Sequence, residues 1–397
     1  MDAPHDRRTY SAGARPRGKM IPIPQNGSDR GSPMRLLYDL TLDELVAVLA
    51  EWGEPPYRAR QIWGWVYRRG ATTFAAMTDL PKALRDRLAE TFSLSPLQPV
   101  AERVSRDGWT RKWLFALPDG AAVETVLMEF TDRRTACVST QAGCAMGCPF
   151  CATGQMGLLR NLTAGEIVAQ VLHVARWLEA HGERLTHIVF MGMGEPFANY
   201  AQVAKALRLL IHPEGFGIGQ RRITVSTVGI VPGIRRFAQE GWQINLAVSL
   251  HAATDALRDH LVPINRVYPL DTLMEAVREY VARTRRRVTF EWAMIRGVND
   301  TPEQARALVE RLRGLRAHVN LIPLNPTPGF AGEPSPPERV EAFRRIVEAA
   351  GIPCTVRVRR GIDVAAGCGQ LRVEAQGRRP LIQPAGPPLP ALRRAGP

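Results

Sequence analysis

No stretch of the 397-residue chain holds the roughly 18 consecutive apolar residues that a bilayer-spanning helix requires, so a helical membrane protein is not expected. The first twenty residues, MDAPHDRRTYSAGARPRGKM, are basic but lead into no apolar segment. A secretory leader is therefore not expected, and the protein is placed in the cytoplasm. Acidic charge is also short, since 38 Asp and Glu face 52 Lys and Arg and leave a net charge of +14. Such an excess asks for an acidic partner. No basic amphipathic helix with a clean apolar face is visible, so nucleic acid is expected rather than a membrane surface. Arginine dominates, in Arg221–Arg222, Arg285–Arg286–Arg287, Arg311/Arg313 and Arg357/Arg359–Arg360. The plainer account of these runs is compositional bias spread over solvated faces. Cysteine is scarce as well: Cys137, Cys144, Cys148, Cys151, Cys354 and Cys368 are the only six. Clustered thiols in a reducing compartment read as metal ligands or catalysts, not as a disulfide framework.

What is present is organised. Residues 1–34 are rich in Pro, Gly, Ser and Arg and read as a disordered arm, and the Pro-rich 376–397 reads as a disordered tail. Thr41-Leu-Asp-Glu44 is a capping box that opens a helix ended by Gly53. Further helices are expected over about 58–69 and 81–91, which makes 35–98 a small helical module. Two β-rich runs around the Pro-Asp-Gly turn at 118–120 form a β-hairpin within 99–130. From 131 to 375, β-branched apolar runs near 135–140, 186–191, 222–226, 244–249, 287–293 and 318–322 alternate with helical patterns. Those helices lie near 163–180, 198–211, 230–240, 270–284 and 301–313, the first with its own capping box, Thr163 to Glu166. Six βα units fall short of a closed eight-stranded barrel, so the fold class is α/β with a partial (β/α)6 barrel.

After the first barrel strand comes Cys144-x-x-x-Cys148-x-x-Cys151 on a glycine-containing loop. Thiolates bind zinc and iron well. Structural zinc usually takes four ligands in pairs, whereas only three stand here and no second Cys-x-x-Cys pair follows. Three thiolates on a cubane leave one iron open. This spacing resembles the radical S-adenosylmethionine (SAM) superfamily, as does Phe150 before the last cysteine, and it implies a [4Fe-4S] cluster whose open iron chelates SAM. Gly192-Met-Gly-Glu195-Pro196, after the strand-like HIVFM, is similar to the motif that meets the SAM amino group in that superfamily.

The ordered segments TACVSTQAGCAMGCPFCATG, MGMGEP, ITVSTVGIVPGI, LAVSLHAATD, LIPLNPTPG and DVAAGCGQL narrow the resemblance. They resemble the radical SAM adenine-C2 methyltransferases that act on 23S ribosomal RNA and tRNA (the RlmN type), as does ARQIWGWVYRRGATTFAAMTDLPKALR in the helical module. The likeness covers roughly 35–375. It implies two SAM molecules and a cysteine. One SAM methylates Cys368. A 5′-deoxyadenosyl radical from the other takes a hydrogen from the S-methyl group, and the carbon radical adds to adenine. Cys137 then helps to resolve the adduct through a transient disulfide with Cys368, and Glu124 is the implied proton acceptor. Implied SAM contacts are Gly194, Glu195, Ser226, Ser249, Leu250, His251 and Asn325, with Met191 and Met193 packing beneath. Gly367 stands where the family usually has alanine, a departure that loosens the loop without removing chemistry. Cys354 matches nothing catalytic.

The resemblance also implies a reducing partner such as flavodoxin or ferredoxin, and a monomer. A target adenine must leave its stack to react. Arg68, Arg69, Arg111 and Lys112 are candidates to grip phosphate, and Trp63, Trp65, Trp109 and Trp113 to stack on bases, although each is equally a candidate for core. Two rival readings stand: methylation at adenine C8, which shares the cluster and both cysteines, and a non-catalytic metal-stabilised RNA-binding protein.

Overall fold

The computed structural model describes residues 34–327 and 329–357. Cys368, the tail and nearly all of the arm lie outside the described residues. The Thr41 hydroxyl accepts from the Glu44 amide while the Glu44 carboxylate accepts from the Thr41 amide (2.8 Å), and this reciprocal cap starts α1 (Leu42–Glu51). α2 (Tyr57–Trp63) continues as a wider π-type turn over Gly64–Arg68, and α3 (Lys82–Thr91) completes the group. Their apolar faces, with Leu45, Leu49, Ile62, Trp63 and Val66, belong to one hydrophobic core that runs on through the barrel to Cys354.

Three antiparallel strands follow: β1 (Gln98–Val104), β2 (Thr110–Ala116) and β3 (Ala122–Glu129). β2 and β3 are the expected hairpin. β1 escapes a pattern reading because it is a largely exposed edge strand carrying Pro99, and edge strands are built polar. β3 pairs antiparallel with β4 (Arg134–Cys137), so the hairpin extends the barrel sheet instead of standing apart from it. A small hairpin, β5 (Gln141–Gly143) and β6 (Leu158–Asn161), brackets the cysteine loop.

The barrel strands are β4, β7 (His187–Phe190), β8 (Ile223–Thr227), β9 (Asn245–Ser249), β10 (Val288–Met294) and β11 (Ala317–Pro323). A short parallel seventh, β12 (Cys354–Val356), edges the sheet beyond the six expected. The ten-stranded order is β12-β11-β10-β9-β8-β7-β4-β3-β2-β1, parallel from β12 to β4. The intervening helices are α4 (Ala164–Glu179), α5 (Tyr200–Ile211), α6 (Val231–Gln239), α7 (Asp255–Leu261), α8 (Leu270–Thr284), α9 (Pro302–Leu312) and α10 (Pro337–Ala349). Among the described residues no helix is long and apolar enough to cross a membrane.

Strand alternation sorts the side chains. In β8, Ile223 and Val225 are buried in the main core, while Thr224 lines the lumen and Ser226 lines a cavity at the strand's C-terminal end. The lumen is polar, with Thr135, Thr289, Glu291, His318 and Asn320 in its wall. A closed barrel fills that space with apolar layers, so this one is shaped to admit something else.

Candidate active site

The cysteine loop is held by close backbone approach. Gly143 has φ +85°, and a Cβ there would lie 2.0 Å from the Gly157 carbonyl oxygen, so only glycine lets β5 meet β6 at this point. The Cys144 amide then donates to the Gly157 carbonyl (2.9 Å), and the Cys151 amide closes a turn on the Cys148 carbonyl (3.1 Å). Gln155 folds back over the loop, donating to the Pro149 carbonyl (2.6 Å) and to the Thr327 hydroxyl (2.9 Å).

Cys144 and Cys148 are buried and Cys151 is half-buried. Burial pushes the Cys144 thiol up to about 12 and the Cys148 thiol well above its ordinary value, and the nearby Cys151 adds to both shifts. Without a cation these thiols hold their protons; a metal replaces those protons and reverses the preference. Among the described residues no three of His, Cys, Asp and Glu converge closely enough to hold a single metal ion. A lone zinc ion fits this donor set poorly. A cubane takes each thiolate on a different iron and wants the sulfurs spread, so three thiols on one loop fit it.

Between this loop and the strand C-termini lies a cavity of about 280 Å³. The structure brings Cys148, Cys151, Gly194, Glu195, Ser226, Ser249, His251 and Asn325 together in its wall. Leu250 is not there: it is fully buried, its amide donating to the Glu291 carbonyl and its carbonyl accepting from Arg258. Met193 is likewise buried, while Met191 lines the cavity.

Glu195 is 2% exposed, and its two oxygens accept from the amides of Phe197 (2.9 Å) and Val228 (2.8 Å). Burial lifts its carboxyl to about 7 against those hydrogen bonds. Gly194 (φ +98°) passes so near Gln141 that a Cβ would sit 2.5 Å from the Gln141 Cβ. His251 adopts φ +60°, rare for a side-chain-bearing residue. Its Nδ1 accepts from the Ala293 amide (3.0 Å), which assigns the ring proton to Nε2, and burial holds the imidazole neutral, down to about 3. Asn299 fixes that turn by donating to the carbonyls of His251 (2.8 Å) and Ala293 (2.6 Å).

Arg258 was not foreseen. Its fully buried guanidinium donates to the carbonyls of Leu250 (3.0 Å), Val228 (2.5 Å) and Ser249 (3.3 Å) and to Asn265 Oδ1 (2.9 Å), tying the ends of β8 and β9 together. A lone arginine in LRDHL carries no signal of this in sequence.

A second cavity, the lumen, measures about 1240 Å³ and reaches from Asn325 down to the strand N-termini. Met191, Glu291, Ile322, Pro323, Asn325 and Arg357 border both cavities. Glu291, also unforeseen, accepts from Asn320 (2.7 Å), and burial raises its carboxyl. Cys137, at the end of β4, lines the lumen. No described cysteine is in a disulfide, and its expected partner Cys368 lies outside the described residues.

Glu124 stands elsewhere. Its carboxylate is 2% exposed, borders neither cavity, and pairs with the fully buried Lys112 ammonium at 2.9 Å. The same pair removes Lys112 from the phosphate-gripping candidates. Arg111 pairs with Glu102 and lies over the Trp177 ring, and Arg69 covers Trp65 beside Asp79. Trp63 and Trp113 are core, whereas Trp109 is exposed.

Residues 138–309 match the radical SAM superfamily, and residues 36–94 match the ribosomal RNA large subunit methyltransferase N-terminal domain. A protein from Myxococcus xanthus named dual-specificity RNA methyltransferase RlmN 1 is 54% identical over 347 residues, covering 87% of this chain and 97% of its own. A probable dual-specificity RNA methyltransferase RlmN from Chloroflexus aurantiacus is 55% identical, with 85% and 92% covered. The chain belongs to the RlmN family. A crystal structure of a radical SAM methyltransferase from Sphaerobacter thermophilus superposes with a TM-score of 0.83 at 56% identity, covering 85% of this chain and 99% of that one. The RlmN family is a radical SAM family, and its cofactors are a [4Fe-4S] cluster and SAM. The cysteine loop suits the cluster, and the hydrogen-bonding groups lining the cavity above the strands suit SAM, in donor chemistry.

Proposed function

We propose that this chain methylates C2 of adenine in 23S ribosomal RNA and of the adenine 3′ of the anticodon in tRNA. The observation that carries the reading is the junction of the two cavities, where the cysteine-loop site opens through Met191, Glu291 and Asn325 into a polar lumen with Cys137 in its wall. Cys144, Cys148 and Cys151 would hold the cluster. Gly194 and Glu195 would receive the SAM ammonium, the hydroxyls of Ser226 and Ser249 the ribose or carboxylate, and His251 with Asn325 the adenine edge, with Leu250 packed behind that wall. When bound, the cluster and SAM supply an electron and the one-carbon group. Cys368 carries that carbon to the base, and Cys137 releases the product by forming a disulfide with Cys368.

Glu124 is the proton acceptor of this reading, a role that requires its carboxylate to part from the Lys112 ammonium 2.9 Å away. The division into 1–34, 35–98, 99–130, 131–375 and 376–397, a small reducing protein such as flavodoxin or ferredoxin as electron donor, a monomeric state and a cytoplasmic location belong to the same reading.

The test is anaerobic incubation of both RNA pools with SAM and a reductant, followed by nucleoside mass spectrometry. Wild type is expected to yield 2-methyladenosine and Cys368→Ala none. Formation of 8-methyladenosine instead would move the chain to the sister activity. A colourless zinc protein that makes no 5′-deoxyadenosine would sink the enzyme reading altogether.

A further inference from the structure

The rim of arginines at the strand N-termini has no part in the chemistry above. Arg221 and Arg222 precede β8, Arg285, Arg286 and Arg287 precede β10, and Arg316 precedes β11; all six line the lumen at the end opposite the cysteine loop. Glu291 at the cavity junction lies four positions beyond Arg287, about 13 Å at roughly 3.3 Å per residue.

The charge on this rim is uncompensated. Among the described residues none of the six forms an ion pair with a carboxylate. Several arginines on the barrel's outer face are neutralised, as in Arg235–Glu279 (2.8 Å), Arg311–Asp271 (2.9 Å) and Arg313–Glu310 (2.6 Å), whereas the rim gathers six that are not. The partners at the rim are neutral: Arg286 donates to Gln243 and Asn245, and Arg316 to the Arg285 carbonyl (2.9 Å). His187 and His318, beside them in the lumen wall, are held below the ordinary imidazole range by burial first, and then by Arg133 and Arg222 for one and Arg287 for the other. The arginines thus reach both imidazoles, with Asp132 offsetting part of their effect at His187.

Crowded like charge opposes folding, and a fold that keeps it exposed at the mouth of a cavity supplies a binding site for anions. Guanidinium forks match phosphate oxygens two at a time. We propose that this rim binds the phosphates flanking the target nucleotide, and that the extruded base enters the lumen from here toward Cys137 and Met191. The inference rests on the RNA-methyltransferase reading and adds a doorway to it. It moves the phosphate grip away from Arg111 and Lys112, whose charges are already matched.

The test uses the full chain, a fluorescent anticodon stem-loop and anisotropy titrations at several salt concentrations. Each phosphate contact to single-stranded RNA contributes about 0.7 to the slope of log K against log salt. Arg221→Gln/Arg222→Gln/Arg287→Gln should flatten the slope by about 2 and weaken binding at least tenfold. The corresponding triple lysine variant, which keeps charge at exposed positions, should retain most of the slope. Arg235→Gln/Arg306→Gln/Arg313→Gln removes the same charge from outer arginines paired with Glu279, Glu303 and Glu310, and should stay within twofold of wild type. Equal losses in the two glutamine variants would overturn the rim. So would an unchanged rim variant, which leaves the RNA reading intact if wild type still binds steeply. Absence of salt-dependent binding by wild type would remove the RNA reading as well. For the doorway, Thr224→Trp, halfway up the lumen wall, should keep RNA affinity within twofold and abolish methylation, with Thr224→Val active. Methylation by the tryptophan variant would exclude passage through the lumen.

Discussion

At Arg258 a guanidinium sits wholly inside the protein and directs its N–H groups to three strand-end carbonyls and Asn265. Burial lowers its pKa to about 10, so it stays charged at neutral pH, with Asp255 and Asp259 nearby. Each carbonyl left without its donor costs about 1–3 kcal/mol, and lysine offers one nitrogen where arginine offers three. Arg258→Lys is therefore expected to load iron normally but to bind SAM at least tenfold more weakly in equilibrium dialysis. Unchanged affinity would reduce Arg258 to packing. His173 gives a second residue-scale prediction. It lies edge-on to Trp113 and Phe115, and burial first, then Arg176, holds its pKa down to about 4. Between pH 6.5 and about 4 the unfolded chain gains a proton that the folded protein refuses, so stability falls as pH falls through that window. On going from pH 8 to pH 5, wild type should lose about 1–2 kcal/mol more than His173→Gln in urea unfolding. Equal losses in the two proteins would count against the buried neutral imidazole.

At the scale of elements, the cysteine loop depends on the contact between β5 and β6 at Gly143. Gly143→Ala combines a strained positive φ with a Cβ 2.0 Å from a backbone oxygen, and backbone cannot step aside cheaply. Anaerobically purified Gly143→Ala is expected to hold less than half the iron of wild type. Gly108→Ala has φ +75° but open space around its Cβ, and should lose about 1 kcal/mol of stability with iron unchanged. The same contrast explains what sequence made legible. Barrel strands and helices announce themselves because β-branched runs and capping boxes act locally, and the three cysteines because their ligand spacing does. β5, β6 and β12 are three or four residues long and polar or exposed in part, too short for a period to register. Arg258, Glu291 and Asn299 take their roles from burial by segments far away along the chain, which no local pattern encodes. Glu124 shows the converse, a motif match whose buried partner Lys112 became visible only once β2 lay beside β3.

For the whole molecule, the question is whether the helical module is a separate body. Its core is continuous with the barrel's, and polar ties reinforce the seam. The Tyr38 hydroxyl donates to the Leu94 carbonyl (2.8 Å) and accepts from Arg176 of α4 (3.0 Å), while the Asp39 carboxylate accepts from the Gly165 amide (2.6 Å) at the start of the same helix. Gly165 is needed there, since a Cβ would lie 2.9 Å from Asp39. A domain joined by a loose linker would unfold on its own, whereas one sharing a core should unfold with its neighbour. Cluster-free protein is therefore expected to show one urea transition, coincident by far-UV circular dichroism and by tryptophan fluorescence, which reports Trp63 in the module and Trp292 in the barrel. Tyr38→Phe removes the hydroxyl from the seam and leaves the Leu94 carbonyl unpaired, at a cost of about 1–3 kcal/mol. If the body is one, that substitution moves both signals together by the same free energy. A split into two transitions, with only the module's shifted, would mean that the seam is an interface between separately folding units. RNA held at the barrel rim would then reach the module only through a flexible joint.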